Sequence, residues 1–138
     1  MLTREQRYAA TIFEQVTELE QASPEKKTKY GSMAHKLPVL IRVAGLSQAL
    51  HFVHSRGNDD QKLLLKHLAH TLDFHDDKGE KAESAVEKLL AHSRTAQLSM
   101  YMYLTHQALA ALQWYKRFAQ SVLRVEAAED ETSVSARS

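Results

Sequence analysis

Leu98, Tyr101, Thr105, Ala108, Leu112, Tyr115, Ala119 and Val122 recur in alternating steps of three and four. That spacing keeps one apolar stripe on one side of an α-helix for seven turns, and such a stripe is stable only against other helices. The rest of the chain agrees. With four Gly and two Pro in 138 residues, it lacks the turn punctuation that many short strands would need. The expected fold is all-α: a single compact bundle of five to six helices over residues 1–127, with a long C-terminal helix. The stretch 128–138 carries no apolar period and reads as a disordered acidic tail.

Local signals divide the chain. Thr3 and Gln6 form a T-x-x-Q capping box for a first helix over 4–22, in which Tyr8, Ile12, Val16 and Leu19 fall at helical spacing, with Phe13 beside them. Ser23-Pro24 is an N-cap followed by proline at the first helical position, and opens a second helix over 24–35. Pro38 reads the same way and opens a third, reaching His54. This third helix is apolar nearly all round (Val39, Leu40, Ile41, Val43, Leu46, Leu50, Phe52, Val53), so it is expected to be enclosed by neighbours, one of them close to Gly45. Asp59 or Asp60 can cap a fourth helix over 60–74. The polar stretch 74–81 is a turn, and further helices are expected over 81–92 and 95–127.

Charge is more informative in order than in total. The formal net charge is +1, yet residues 26–58 carry six basic residues and no acid, and residues 88–125 carry five and none. Acidic blocks lie before, between and after them. Such blocks present separate surfaces to separate partners, and an acid-free block suits a polyanion.

Chemistry at a catalytic centre finds little footing. No cysteine is present for a disulfide, a thiolate zinc site or a thiol nucleophile, and no stretch of 18 apolar residues spans a membrane. No secretory leader opens the chain, which fits the cytoplasm. His51 and His54, like His67 and His70, are spaced i, i+3, but H-x-x-H lacks the glutamate of H-E-x-x-H, so no metal or other cofactor is expected. His75-Asp76 looks like the dyad of metal-dependent phosphohydrolases, yet it falls in the expected turn and has no aspartate partner on a later helix. No G-x-S-x-G elbow, P-loop or dinucleotide fingerprint occurs, and the carboxylates sit on polar segments where nothing would raise their pKa. The chain reads as a non-enzyme. Lysines and arginines can hold phosphates without reading sequence, whereas aromatic residues do not interleave with them as a single-strand platform requires, Tyr30 and Trp114-Tyr115-Lys116-Arg117 excepted.

Three segments, taken together, resemble one family, the N-terminal helix ending near Ser23 adding length and order to two motifs. LPVLIRVAGLSQALHFV (37–53), with Leu37, Pro38, Gly45, Leu46, Gln48 and Phe52, is similar to the signature of the small subunit of the type III-B CRISPR effector, the Cmr complex; Tyr30-Gly31 and Lys36 fit its approach. ALAALQWYKRFAQSVL (108–123), with Leu112, Trp114, Lys116, Arg117, Phe118 and Ala119, resembles its last helix. The resemblance covers about residues 4–125. It implies a non-catalytic helical subunit, a monomer in isolation, that lines up with copies of itself beside the backbone subunits and bridges toward the large subunit, along guide RNA and target RNA. It places the RNA contacts at Lys26, Lys27, Lys29, Lys36 and Arg42, with a second patch at Lys116, Arg117 and Arg124. Gly45, Trp114 and Phe118 become structural or subunit-contact positions. Three alternatives stay open: the related small subunit of the Csm-type (III-A) effector, a helical adaptor that binds only protein, and a small metal-dependent hydrolase using the histidines.

Overall fold

In the computed structural model, which describes residues 1–74 and 82–127, six α-helices and one 3-10 turn account for the ordered backbone. The first is α1, Arg4–Thr17, started by the expected box: the Thr3 hydroxyl accepts from the Gln6 amide at 3.1 Å, and the Gln6 side chain accepts from the Thr3 amide at 2.8 Å. Tyr8, Ile12 and Val16, four residues apart, form its buried edge. The helix then tightens into a 3-10 turn, Glu18–Gln21, rather than running on as α-helix to residue 22.

Ser23 caps α2, Pro24–Ala44, by accepting from the Lys26 amide at 3.2 Å. Here the structure departs from the sequence expectation. Pro38 does not restart the chain; it lies inside one 21-residue helix, which ends at Gly45. Lacking an N–H, Pro38 leaves the Ala34 carbonyl without its usual i+4 donor, a cost normally large enough to end a helix. Tyr30, Ala34, Leu37, Pro38 and Ile41 are all buried, however, so continuing the helix carries a single apolar face into the core on both sides of the proline. Gly45 is the real corner. At φ 91°, ψ 158° it donates its N–H to Ile41 and accepts from the Ala49 amide, so it closes α2 and opens α3, Leu46–Arg56.

The fourth helix, α4 (Asp59–Thr71), is capped by Asn58 rather than by either aspartate. Asn58 and Gln61 make a second reciprocal box, at 2.9 and 3.1 Å, while Asp59 and Asp60 occupy the first turn, where the helix dipole favours acids. Asp73, in the left-handed region at φ 67°, ends it: the Asp73 and Phe74 amides return to the carbonyls of His70 and Ala69. Helices α5 (Ala82–Thr95) and α6 (Leu98–Ser121) complete the bundle. The last helix is shorter than the expected 95–127; the expected turn at 74–81 lies outside the described residues from His75 on, His75-Asp76 included, as does the tail from 128.

Helix α6 stands between α1 and α2. It runs parallel to α1, with Arg4 at Tyr103, Tyr8 at Gln107 and Gln15 at Tyr115. It runs antiparallel to α2, whose Gly31 and His35 meet Val125 while Ser47, just beyond Gly45, meets Tyr101. Helix α4 packs on α1, α2, α5 and α6, and α3 lies between α2 and α5. The predicted seam of α6 is buried at Ala108, Leu112, Tyr115 and Ala119, but its first member, Leu98, is 73% exposed.

After α6 the chain folds back on α2. The Val125 amide donates to the Ala119 carbonyl, and the Val125 carbonyl accepts from His35 Nε2 at 2.9 Å. Gly31 makes room for this: a Cβ there would stand 2.6 Å from the Val125 Cβ. Gly31→Ala is therefore expected to cost about 1–3 kcal/mol by overpacking, measured by denaturant unfolding. A variant as stable as the parent would mean that the 122–127 segment is not seated on α2.

Candidate nucleic-acid interface

The basic residues of α2 have different surroundings. Lys29 Nζ lies 2.8 Å from Glu25 Oε1, one turn earlier on the helix. That hydrogen bond, and then the opposite charge, lower the Glu25 pKa and raise that of Lys29. Both groups are solvated, and such pairs add little stability. Lys27 Nζ reaches the Glu20 carbonyl at 3.4 Å, on the 3-10 turn. Lys26 is half-buried, whereas Lys36 and Arg42 are exposed.

Along the outer side of α2, Lys29, Ser32, Lys36, Val39 and Val43 follow the helical three-four spacing. The stripe is basic toward the N-terminus and apolar toward Gly45, where Val39 and Val43 are 54% and 81% exposed. Phe52 on α3 is exposed as well. The 38–54 stretch is thus not enclosed all round as expected. It belongs to two helices, each with one buried face, because the corner at Gly45 turns the second away from the line of the first.

The second expected patch is divided. Arg124 is not on the last helix: it sits past the end of α6 at φ 61°, next to Val125, which packs on α2. Arg117 is exposed and lines a hollow shared with α1, and Lys116 is half-buried between these directions. Arg124 therefore joins the α2 side and Arg117 the α1 side.

Trp114 and Phe118 stack with ring centroids 5.5 Å apart, and Phe13 of α1 meets Phe118 edge-on at 5.3 Å. This aromatic cluster ties α1 to α6. Gly45 faces the Tyr101 hydroxyl, 3.3 Å from where a Cβ would stand, and the same hydroxyl accepts from the Ser47 amide at 3.1 Å.

Beneath these surfaces lies a polar network that spacing alone did not reveal. Tyr30 Oη and His67 Nδ1 are 2.7 Å apart, and the Gln15 amide donates to the His67 carbonyl. Gln15 Oε1 accepts from the Tyr115 hydroxyl at 2.6 Å, and the Thr71 and Tyr115 hydroxyls are 2.9 Å apart. Burial raises the pKa of both tyrosines. His67 is pushed down to about 4, chiefly by burial, with the charges of His70 and Lys26 adding to it. The members of the i, i+3 histidine pairs have different surroundings. His67 is turned inward on Tyr30 while His70 is exposed, and His51 accepts from Arg94 at 3.3 Å. Among the described residues, no three His, Asp or Glu side chains stand close enough to hold a metal ion, and no helix is long and apolar enough to cross a membrane.

Arg4 and Tyr103 went unremarked in the sequence. They are 99 positions apart, and the fold brings them together: the Arg4 guanidinium lies over the Tyr103 ring, 5.8 Å from its centroid, and donates to its hydroxyl at 3.2 Å. No local pattern marks such a pair.

This six-helix unit falls in the CRISPR-associated class by its sequence: the family model described as "CRISPR-associated protein (Cas_Cmr5)" matches residues 4–122. The chain belongs to the Cmr5 family. It is 46% identical over 123 residues to the "CRISPR system Cmr subunit Cmr5" of Thermus thermophilus, an alignment spanning 89% of this chain and 98% of that protein. It is also similar to the crystal structure of a CRISPR-associated Cmr5 family protein from the same organism, with a TM-score of 0.77, 41% identity, and coverage of 89% of this chain and 99% of the other.

Proposed function

We propose that this chain is the non-catalytic small subunit of a type III-B CRISPR effector, a cytoplasmic RNA-guided complex of antiviral defence. In this role it supports guide and target RNA through sequence-independent phosphate contacts and bridges the backbone and large subunits beside further copies of itself. Family membership supports the assignment to a Cmr complex over a Csm-type one. The observation that carries the RNA contact is the acid-free stretch 26–58, which α2 displays with Lys36 and Arg42 exposed, and to which the folded-back segment adds Arg124. Cations on a rigid helix can neutralise phosphates with no backbone left to order, and alignment of several copies multiplies a contact that is weak in one.

Reversing three charges together (Lys26→Glu, Lys27→Glu, Lys29→Glu) should lower RNA retention by the assembled complex without unfolding the subunit. A second variant, Lys36→Ala with Arg42→Ala, removes two exposed charges farther along α2 without introducing acids. If both touch phosphate in single-stranded RNA, the slope of log K against log salt should become shallower by about 1.4. Normal retention and an unchanged slope in complexes that assemble normally would reject the α2 contacts; if the chain also binds no RNA by any other surface, the protein-binding adaptor remains.

A further inference from the structure

Two hollows adjoin where α1 runs beside α6, on the opposite side of α6 from α2. The larger, about 940 Å3, takes Trp114 and Arg117 from α6. The smaller, about 440 Å3, takes Arg7 from α1, Tyr103 and Gln107 from α6, and His70 from the end of α4. Arg4 and Tyr8 line both, so the two form one track.

Its chemistry is specific. Trp114 is braced by Phe118, and the Tyr103 ring, 50% exposed, is braced by the Arg4 guanidinium. Each hollow thus offers a supported aromatic ring with arginines beside it. Each also holds one carboxylate, Glu5 in the larger and Asp73 in the smaller, so three guanidiniums are opposed by two acids. The local field is therefore modest, and flat rings with forked donors supply the recognition. Base faces and phosphates match that set, and base faces are available only where the strand is unpaired.

We propose that this track binds single-stranded RNA, with unstacked bases laid on Trp114 and Tyr103 and phosphates held by Arg4, Arg7 and Arg117. The site rests on the RNA-contact role proposed above, and it is a second surface, separated by α6 from the basic stripe of α2. It also creates the alternation of aromatic and basic groups that is missing along the sequence.

Trp114 is the sole tryptophan, so its fluorescence reports on the larger hollow directly. The full chain should be titrated at low salt with a short oligouridylate and, separately, with an RNA duplex. Quenching of Trp114 by the single strand and not by the duplex is expected. Arg4→Ala and Tyr103→Ala should each weaken binding about tenfold, while Tyr103→Phe, which keeps the ring, should bind nearly as the parent does. Thermal melts matching the parent establish that these variants fold. Equal quenching by duplex would overturn the proposal. So would anisotropy showing that a labelled oligouridylate binds with Trp114 unperturbed and Arg4→Ala without effect; that result leaves the α2 contacts standing. Absence of binding by any RNA, together with an assembled complex that retains none, would overturn both this site and the RNA role itself.

Discussion

Between pH 6.5 and about pH 4 the folded chain is expected to lose about 3 kcal/mol of stability through His67. Its side chain is buried against Tyr30, and burial, more than the neighbouring charges of His70 and Lys26, holds its folded pKa near 4. In the unfolded chain the imidazole titrates near 6.5, so within that window the unfolded state binds a proton that the folded state refuses. Stability is fully present above pH 6.5 and falls as the pH approaches 4. His51, whose pKa is also lowered, by burial and then by Arg94 and His54, acts in the same direction. Urea unfolding at several pH values tests this. His67→Gln retains an acceptor for Tyr30 and cannot titrate, so its stability should be lower at pH 7 and flatter below it. Parallel pH profiles for parent and variant would show that His67 is not held neutral by the fold.

Replacing Gly45 should destabilise the chain by about 1–3 kcal/mol, and alanine should bring most of that cost. At φ 91° and ψ 158° the residue occupies backbone space that is essentially reserved for glycine. The nearest obstacle to a Cβ is the Tyr101 hydroxyl at 3.3 Å, the far end of a side chain rather than a packed helix. The sequence led to the expectation of a helix packed close to Gly45, which would make Gly45→Leu damaging through overpacking. Comparing the two variants separates the causes. A nearly neutral Gly45→Ala with a costly Gly45→Leu would return the explanation to packing and remove the corner's conformational role.

Pro38 and Gly45 together show why part of the fold was readable in the chain and part was not. Ser23-Pro24 and Leu37-Pro38 look alike as helix starts, yet Ser23 accepts from an amide at a true terminus while Pro38 lies within α2. The difference lies in the surroundings: the residues before and after Pro38 must present one face to a common core, and burying them outweighs one missing hydrogen bond. The same limit split the second basic patch. Lys116, Arg117 and Arg124 are near one another in sequence, but the turn after α6 is set by the Val125 contact with Gly31 and His35, some 90 positions away.

What lies within a turn or two of helix was legible. The Thr3–Gln6 box, the Ser23 cap, the periods of α1 and α6 and the basic block of α2 follow from interactions between residues three to seven apart, and those need no partner segment. The motif resemblance named the family on the same local grounds. The meetings of distant segments were not legible: Arg4 on Tyr103, His67 on Tyr30, and Val125 on Gly31. Helical period says which face turns inward, but not what it meets there. That depends on how six helices share one core, and this packing is what makes His67 a pH-sensitive buried group and brings scattered arginines and rings into one track.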